Sequence, residues 1–165
     1  MNAVLDPDLA ALAGRVAQGL LASGRQLVTA ESCTGGWIAK VCTDLPGSSR
    51  WFRGGVVAYS NELKVALLGV RPETLASEGA VSESVVKEMA LGALERVGGD
   101  VAVAVSGIAG PDGGAPGKPV GTVWVAFAVR DPAGTRTQAV ESHFGGDREQ
   151  IRRMAVHRAL AGLLD

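Results

Sequence analysis

The sequence predicts an α/β fold: three layers, α/β/α, around a mixed, mostly parallel sheet of about five strands. Three observations carry this expectation. Val101–Gly107, VAVAVSG, is a short apolar run with a glycine exit, as expected of a central strand covered on both faces. Segments of helical spacing alternate with such runs along the chain. Of the 165 residues, 47% are hydrophobic but only 4% aromatic, so small side chains must fill the layers. That apolar content excludes a disordered chain. The length suits a single domain over residues 1–165.

The elements follow in order. Asp8–Ser23 repeats apolar residues at helical spacing and stops at Gly24. Gln26–Ala30 reads as a short buried strand, and Gly36–Asp44 as a helix ended by Pro46 and Gly47. Val56–Tyr59 reads as a second strand, and Asn61–Leu68 as a short helix capped by Asn61. Ser82–Val97 is an amphipathic helix with Val85, Met89 and Leu94 on its buried side. After the Val101–Gly107 strand, Val120–Val129 and Thr135–Phe144 flank the turn DPAG and form a hairpin, so part of the sheet is antiparallel. Asp147–Leu164 closes the chain as a helix that Asp147 caps. Between them, Ala109–Pro119 is a loop rich in glycine and proline.

Charge and cysteine usage narrow the function. A net charge of -1 creates no field to gather nucleic acid. No apolar run is long enough for a membrane span. The N-terminus carries acids early and lacks the basic start of a secretory signal. Cys33 and Cys42 have no metal-ligand spacing and form no disulfide framework, so a reducing cytoplasm is the expected compartment. Neither a metal nor another cofactor is expected. The expected partner is a small-molecule substrate, and a homodimer is the expected assembly.

Five clusters carry chemistry. TAESCTGGW, Thr29–Trp37, joins a strand end to a helix start. Its hydroxyls and glycines, Ser32, Thr34, Gly35 and Gly36, suit a phosphate at a positive helix end, or equally an ordinary helix cap. Gly47-Ser48-Ser49 reads first as a polar turn. In AYSNELK, Tyr59 and Lys64 are near enough to meet one ligand. A partly buried Lys64 becomes a neutral base, and a serine beside it a nucleophile that needs no histidine; a solvated surface lysine is the plainer reading. SGIAGPDGG begins with Ser106 and Gly107 at another strand end, so it belongs on the same sheet edge as the first cluster. Arg148, in the first turn of the closing helix, is unfavourable for the helix dipole and suits an anion. His143 and His157 are given no catalytic role. Cys33, at a helix start, is a rival nucleophile. A nucleotide-binding module without catalysis is the rival function.

The blocks AESCTGGW, LPGSS, GGVVAYSNELK, GAVSESVV, VAVSGIAGPDGG, KPVGTVW and HFGGDREQIR, in this order, resemble the CinA C-terminal domain family of PncC type. The resemblance runs from about Leu27 to Leu160. It implies a mixed-sheet α/β/α domain and nicotinamide-nucleotide amidohydrolase activity, converting nicotinamide mononucleotide to nicotinate mononucleotide and ammonia in pyridine nucleotide salvage. Carried over by position, the family's serine–lysine chemistry falls on Ser49 and Lys64 with Tyr59 between them. Ser32, Ser106 and Arg148 match other active-site positions, with Ser106 standing where the family often has threonine. Many relatives carry a second, N-terminal domain; none is expected here, nor any activity tied to it. Ser49, Ser32 and Cys33 all remain open as the nucleophile.

Overall fold

The computed structural model describes residues 6–164. Residues 1–5, on which part of the reading against a secretory signal falls, lie outside the described residues. Five strands form one sheet in the order β2-β1-β3-β4-β5. They are β1 Leu27–Glu31, β2 Phe52–Val57, β3 Val101–Gly107, β4 Thr122–Asp131 and β5 Gly134–His143. β1 pairs in parallel with β2 and β3, whereas β3–β4 and β4–β5 are antiparallel. Only β4 therefore runs against the other four. No helix among the described residues is long and apolar enough to cross a membrane.

Strand alternation divides the core in two. Leu27, Val103, Val105 and Val125 face the helices α1 Asp6–Ser23, α2 Trp37–Thr43 and α6 Arg148–Ala161. Val28, Ala30, Ala102, Ala104 and Ala126 face the other side, where α3 Asn61–Leu68, α4 Pro72–Glu78 and α5 Glu83–Arg96 lie. The VAVAV run thus presents valines to one layer and alanines to the other, a consequence of the two-residue period of a strand. Alanines on the second face let α5 lie close, and Val85, Met89 and Leu94 fill that contact as expected.

The structure corrects the sequence reading in four places. β2 begins at Phe52, not Val56, because the glycines that look like breakers serve close pairing. A Cβ on Gly55 would overlap the Thr29 hydroxyl on β1. Ser60, not Asn61, caps α3: its backbone is extended and its side chain accepts from Leu63 N at 3.2 Å. α4 was missed, as was the single 3₁₀ turn Ser48–Arg50. The hairpin turn at Asp131–Gly134 and the Asp147 cap, reinforced by a reciprocal bond from Gln150, form as expected.

Gly92 sets how closely the end of α3 packs on α5. A side chain there would run into the Leu68 carbonyl at the end of α3. In an open helix, glycine to alanine stabilises by about 1 kcal/mol. Here the sign reverses: Gly92→Ala should lower unfolding free energy by about 1–3 kcal/mol, the usual cost of overpacking. Urea denaturation checks it, and an unchanged or raised midpoint would show that α3 and α5 do not meet this closely.

Candidate active site

The carboxyl ends of the parallel strands gather the site, as open α/β sheets require. A cavity of about 290 Å³ lies there, lined by Ser32 after β1, Tyr59 and Lys64 around the start of α3, Ser106 and Gly107 at the end of β3, and Arg148 at the start of α6. Its volume is near the lower end for small-ligand sites, roughly 300–1,000 Å³. Asn61 and Asp112 also line it. Neither was singled out in the sequence: Asn61 was read as a cap, and Asp112 lies in a loop without a periodic signal.

Lys64 is the unusual group. It is only 1% exposed. Its Nζ lies 3.1 Å from both the Ser32 Oγ and the main-chain oxygen of Tyr59. Burial lowers its pKa from the ordinary 10.5, against smaller opposing effects of Cys33 and Glu62. This shift favours the neutral amine, and a neutral amine accepts a proton where an ammonium only donates. The hydroxyl within its reach is that of Ser32.

Ser49 is not. It lies in the 3₁₀ turn that leads into β2, and Leu27 N there bonds Trp51 O, so it stands at the amino edge of the sheet. At about 3.3 Å per residue, the length of β2 sets it roughly 15–20 Å from the carboxyl edge. The expected Ser49–Lys64 pair is not formed, because Lys64 follows the strand that Ser49 precedes. Tyr59 does stand at the site, but its phenol bonds Arg148 Nη2 at 3.0 Å while only its main-chain oxygen meets Lys64. Arg148 Nη1 also bonds Gly110 O at 2.7 Å, so Arg148 ties Tyr59 to the glycine-rich loop.

The phosphate expected at the start of α2 meets an occupant. Glu31, 1% exposed, turns its carboxylate into that helix end. It accepts from Gly36 N, Ile38 N and Ala39 N at 2.8–3.0 Å and from the Thr34 hydroxyl at 2.7 Å. The structure therefore parts the first cluster. Ser32 enters the cavity, while Thr34, Gly35 and Gly36 border a separate cleft of about 300 Å³ beside Trp37 and Arg152. The signal for this was present: a glutamate ending an apolar strand, just before a helix, is placed to cap it. Ser106 is 1% exposed and donates to Ala80 O at 2.8 Å. Gly107 leaves room where a Cβ would press on Val123 at 2.7 Å.

Cys33 loses the condition for its rival role. Burial pushes its thiol up to about 12, outweighing a backbone hydrogen bond and the nearby Arg152 guanidinium. A thiol with that pKa is a poor source of thiolate at neutral pH.

The fold and cavity define a small α/β/α domain whose strand ends hold a serine–lysine pair. The model of the CinA C-terminal domain matches residues 9–165, and the chain belongs to that family. It is 56% identical over 159 residues to the nicotinamide-nucleotide amidohydrolase PncC of Escherichia coli strain K12, covering 96% of this chain and 94% of that protein. The Pseudomonas putida protein of the same name is 51% identical over 161 residues, covering 97% of each. The crystal structure of competence damage-inducible protein A from Klebsiella pneumoniae superposes with a TM-score of 0.89 at 44% identity, covering 94% of both chains.

Lys64 gives a stability signature apart from activity. Its folded pKa lies below the unfolded value of 10.5, so between the two the unfolded chain binds more protons. Stability then rises with pH across that window and carries the full cost of the buried charge below it. Lys64→Met should be at least as stable as wild type at pH 7 and should lose the wild-type gain in stability toward pH 10.5. Thermal denaturation across pH tests this; an equal gain in both proteins would place the titration elsewhere.

Proposed function

We propose that this chain is a nicotinamide-nucleotide amidohydrolase that hydrolyses the carboxamide of nicotinamide mononucleotide, with Ser32 as nucleophile and Lys64 as its base. The relatives' names supply the substrate. The observation that carries the residue assignment is the 3.1 Å contact between Lys64 Nζ and Ser32 Oγ in the cavity. With Nζ neutral, the bond reverses and the Ser32 proton passes to Lys64 as Oγ attacks the carboxamide carbon. The tetrahedral intermediate collapses, the C–N bond breaks, and Lys64 returns the proton to the departing amine, which leaves as ammonia. Water, activated by the same amine, then cleaves the acyl ester to give nicotinate mononucleotide.

The remaining groups bind. The N–H groups of Gly35 and Gly36 are already taken by Ser32 O and Glu31, so the oxyanion must draw on other donors around the cavity, each contributing roughly 3 kcal/mol. Arg148 takes the nucleotide phosphate, since α2 offers its N-terminus to Glu31. Tyr59 holds Arg148 in place through its phenol. Two buried, unpaired cysteines accord with a reducing, cytoplasmic setting, where the reaction serves pyridine nucleotide salvage.

Ammonia release from nicotinamide mononucleotide by the purified protein is the deciding assay. Ser32→Ala should lower kcat by about 10³-fold or more, as loss of a nucleophile does, whereas Ser49→Ala should stay within about two-fold. The opposite pattern would return the nucleophile to Ser49. Arg148→Ala should raise KM by about 10–100-fold, the worth of a charged hydrogen bond, with kcat little changed. If kcat falls alone, Arg148 acts on the reacting carbonyl instead.

A further inference from the structure

Ser32 sits in a turn whose peptide groups are held from two sides. Its own N–H donates to Val105 O at 3.0 Å, and its carbonyl accepts from Gly35 N at 3.0 Å. Arg152 reaches in from α6 to the carbonyls of Cys33 and Thr34 at 3.0 and 2.8 Å. From the core side, the Glu31 carboxylate takes the Thr34 hydroxyl, the N–H of Gly36 and two N–H groups of α2, with a longer bond of 3.4 Å from Thr29.

Glu31 is more than a helix cap requires. A serine, threonine or aspartate cap meets one or two N–H groups from the residue just outside the helix. Glu31 reaches back from the last position of β1 across the whole turn. Among the described residues no lysine or arginine forms a salt bridge with it. Its charge is met by backbone dipoles and hydroxyls alone. α2 has only seven residues, and a neutral cap would start so short a helix. What the carboxylate adds is a fixed path from Glu31 to Trp37, through Gly35 and Gly36 at φ of 63° and 93°, with Ser32 on it.

We infer that Glu31 is a positioning residue for the nucleophile: its carboxylate locks the β1–α2 turn so that the Ser32 hydroxyl stays within proton-transfer reach of Lys64. The inference rests on the Ser32–Lys64 reading above. Glu31→Gln keeps the shape but turns an NH₂ group toward at least one backbone donor, because both carboxylate oxygens accept. The turn must then shift, and a displacement on the order of 1 Å costs about 100-fold in rate.

The test uses a fluorophosphonate, which phosphonylates activated serines, alongside steady-state kinetics on nicotinamide mononucleotide. Glu31→Gln should label to the same final extent as wild type but about 30–100-fold more slowly, with kcat reduced similarly and KM within three-fold. Thr34→Val, which removes one of the carboxylate's partners, should show the same pattern at about 3–10-fold. Because extent counts competent molecules and rate reports the geometry of Ser32, a variant that only folds poorly would lose extent and keep rate. That result in both variants, or wild-type labelling rates in both, overturns the positioning role. Absence of labelling in the wild-type protein, or its persistence in Ser32→Ala, overturns the Ser32 reading itself.

Discussion

A lysine withdrawn from water beside a serine hydroxyl is the constraint around which the domain is arranged. Removing an ammonium from water costs several kcal/mol unless the group loses its proton or is fully paired, and Lys64 is 1% exposed. The fold meets this demand with local devices. Ser60 starts α3 and Gly69 ends it in a left-handed conformation, so Lys64 falls in the first turn and points down onto the strand ends. Gly92 lets the far end of α3 settle on α5. Ser32, 32 positions earlier in the chain, meets it because β1 and β2 are adjacent parallel strands ending at the same edge.

Charge is sorted by the same geometry. The helix start that follows Ser32 is filled by an internal carboxylate, which leaves it closed to an outside anion. Arg148 is the arginine that lines the cavity, and it bridges the Tyr59 phenol and the Gly110 carbonyl. Its neighbours Arg152 and Arg153 are committed elsewhere, the first to the carbonyls of Cys33 and Thr34 and the second to Asp6 and Glu149. Three arginines within six positions of α6 thus serve three places: the cavity, the β1–α2 turn and surface ion pairs.

Most of the fold was legible in the sequence because periodicity reports burial directly. VAVAVSG, the amphipathic Glu83–Arg96 segment and the hairpin about Asp131–Gly134 each have one pattern and one solution. β2 was half hidden, since an edge strand with two glycines lacks both the apolar run and the alternation. The site was partly legible. Lys64, Tyr59, Ser106 and Arg148 converge on one cavity with Ser32, and strand-end positions announced this. Which serine faces the lysine was not readable, because motif order along the chain does not say which end of a strand a residue occupies. Ser49 precedes β2 and Lys64 follows it; only the parallel topology makes that difference decisive. The role of Thr34 was hidden for a related reason: a helix start looks open to an anion until a carboxylate is seen to fill it.

Acid quenching during turnover, followed by tryptic peptide mass spectrometry, tests the central claim most directly. Trypsin separates the two serines, releasing Gln26–Lys40 with Ser32 and Val41–Arg50 with Ser49. With nicotinamide mononucleotide as substrate, the acyl adduct should appear on Gln26–Lys40, map to Ser32 rather than Cys33, and vanish in Ser32→Ala. An adduct on Val41–Arg50, or one on Gln26–Lys40 that survives Ser32→Ala, would contradict the account.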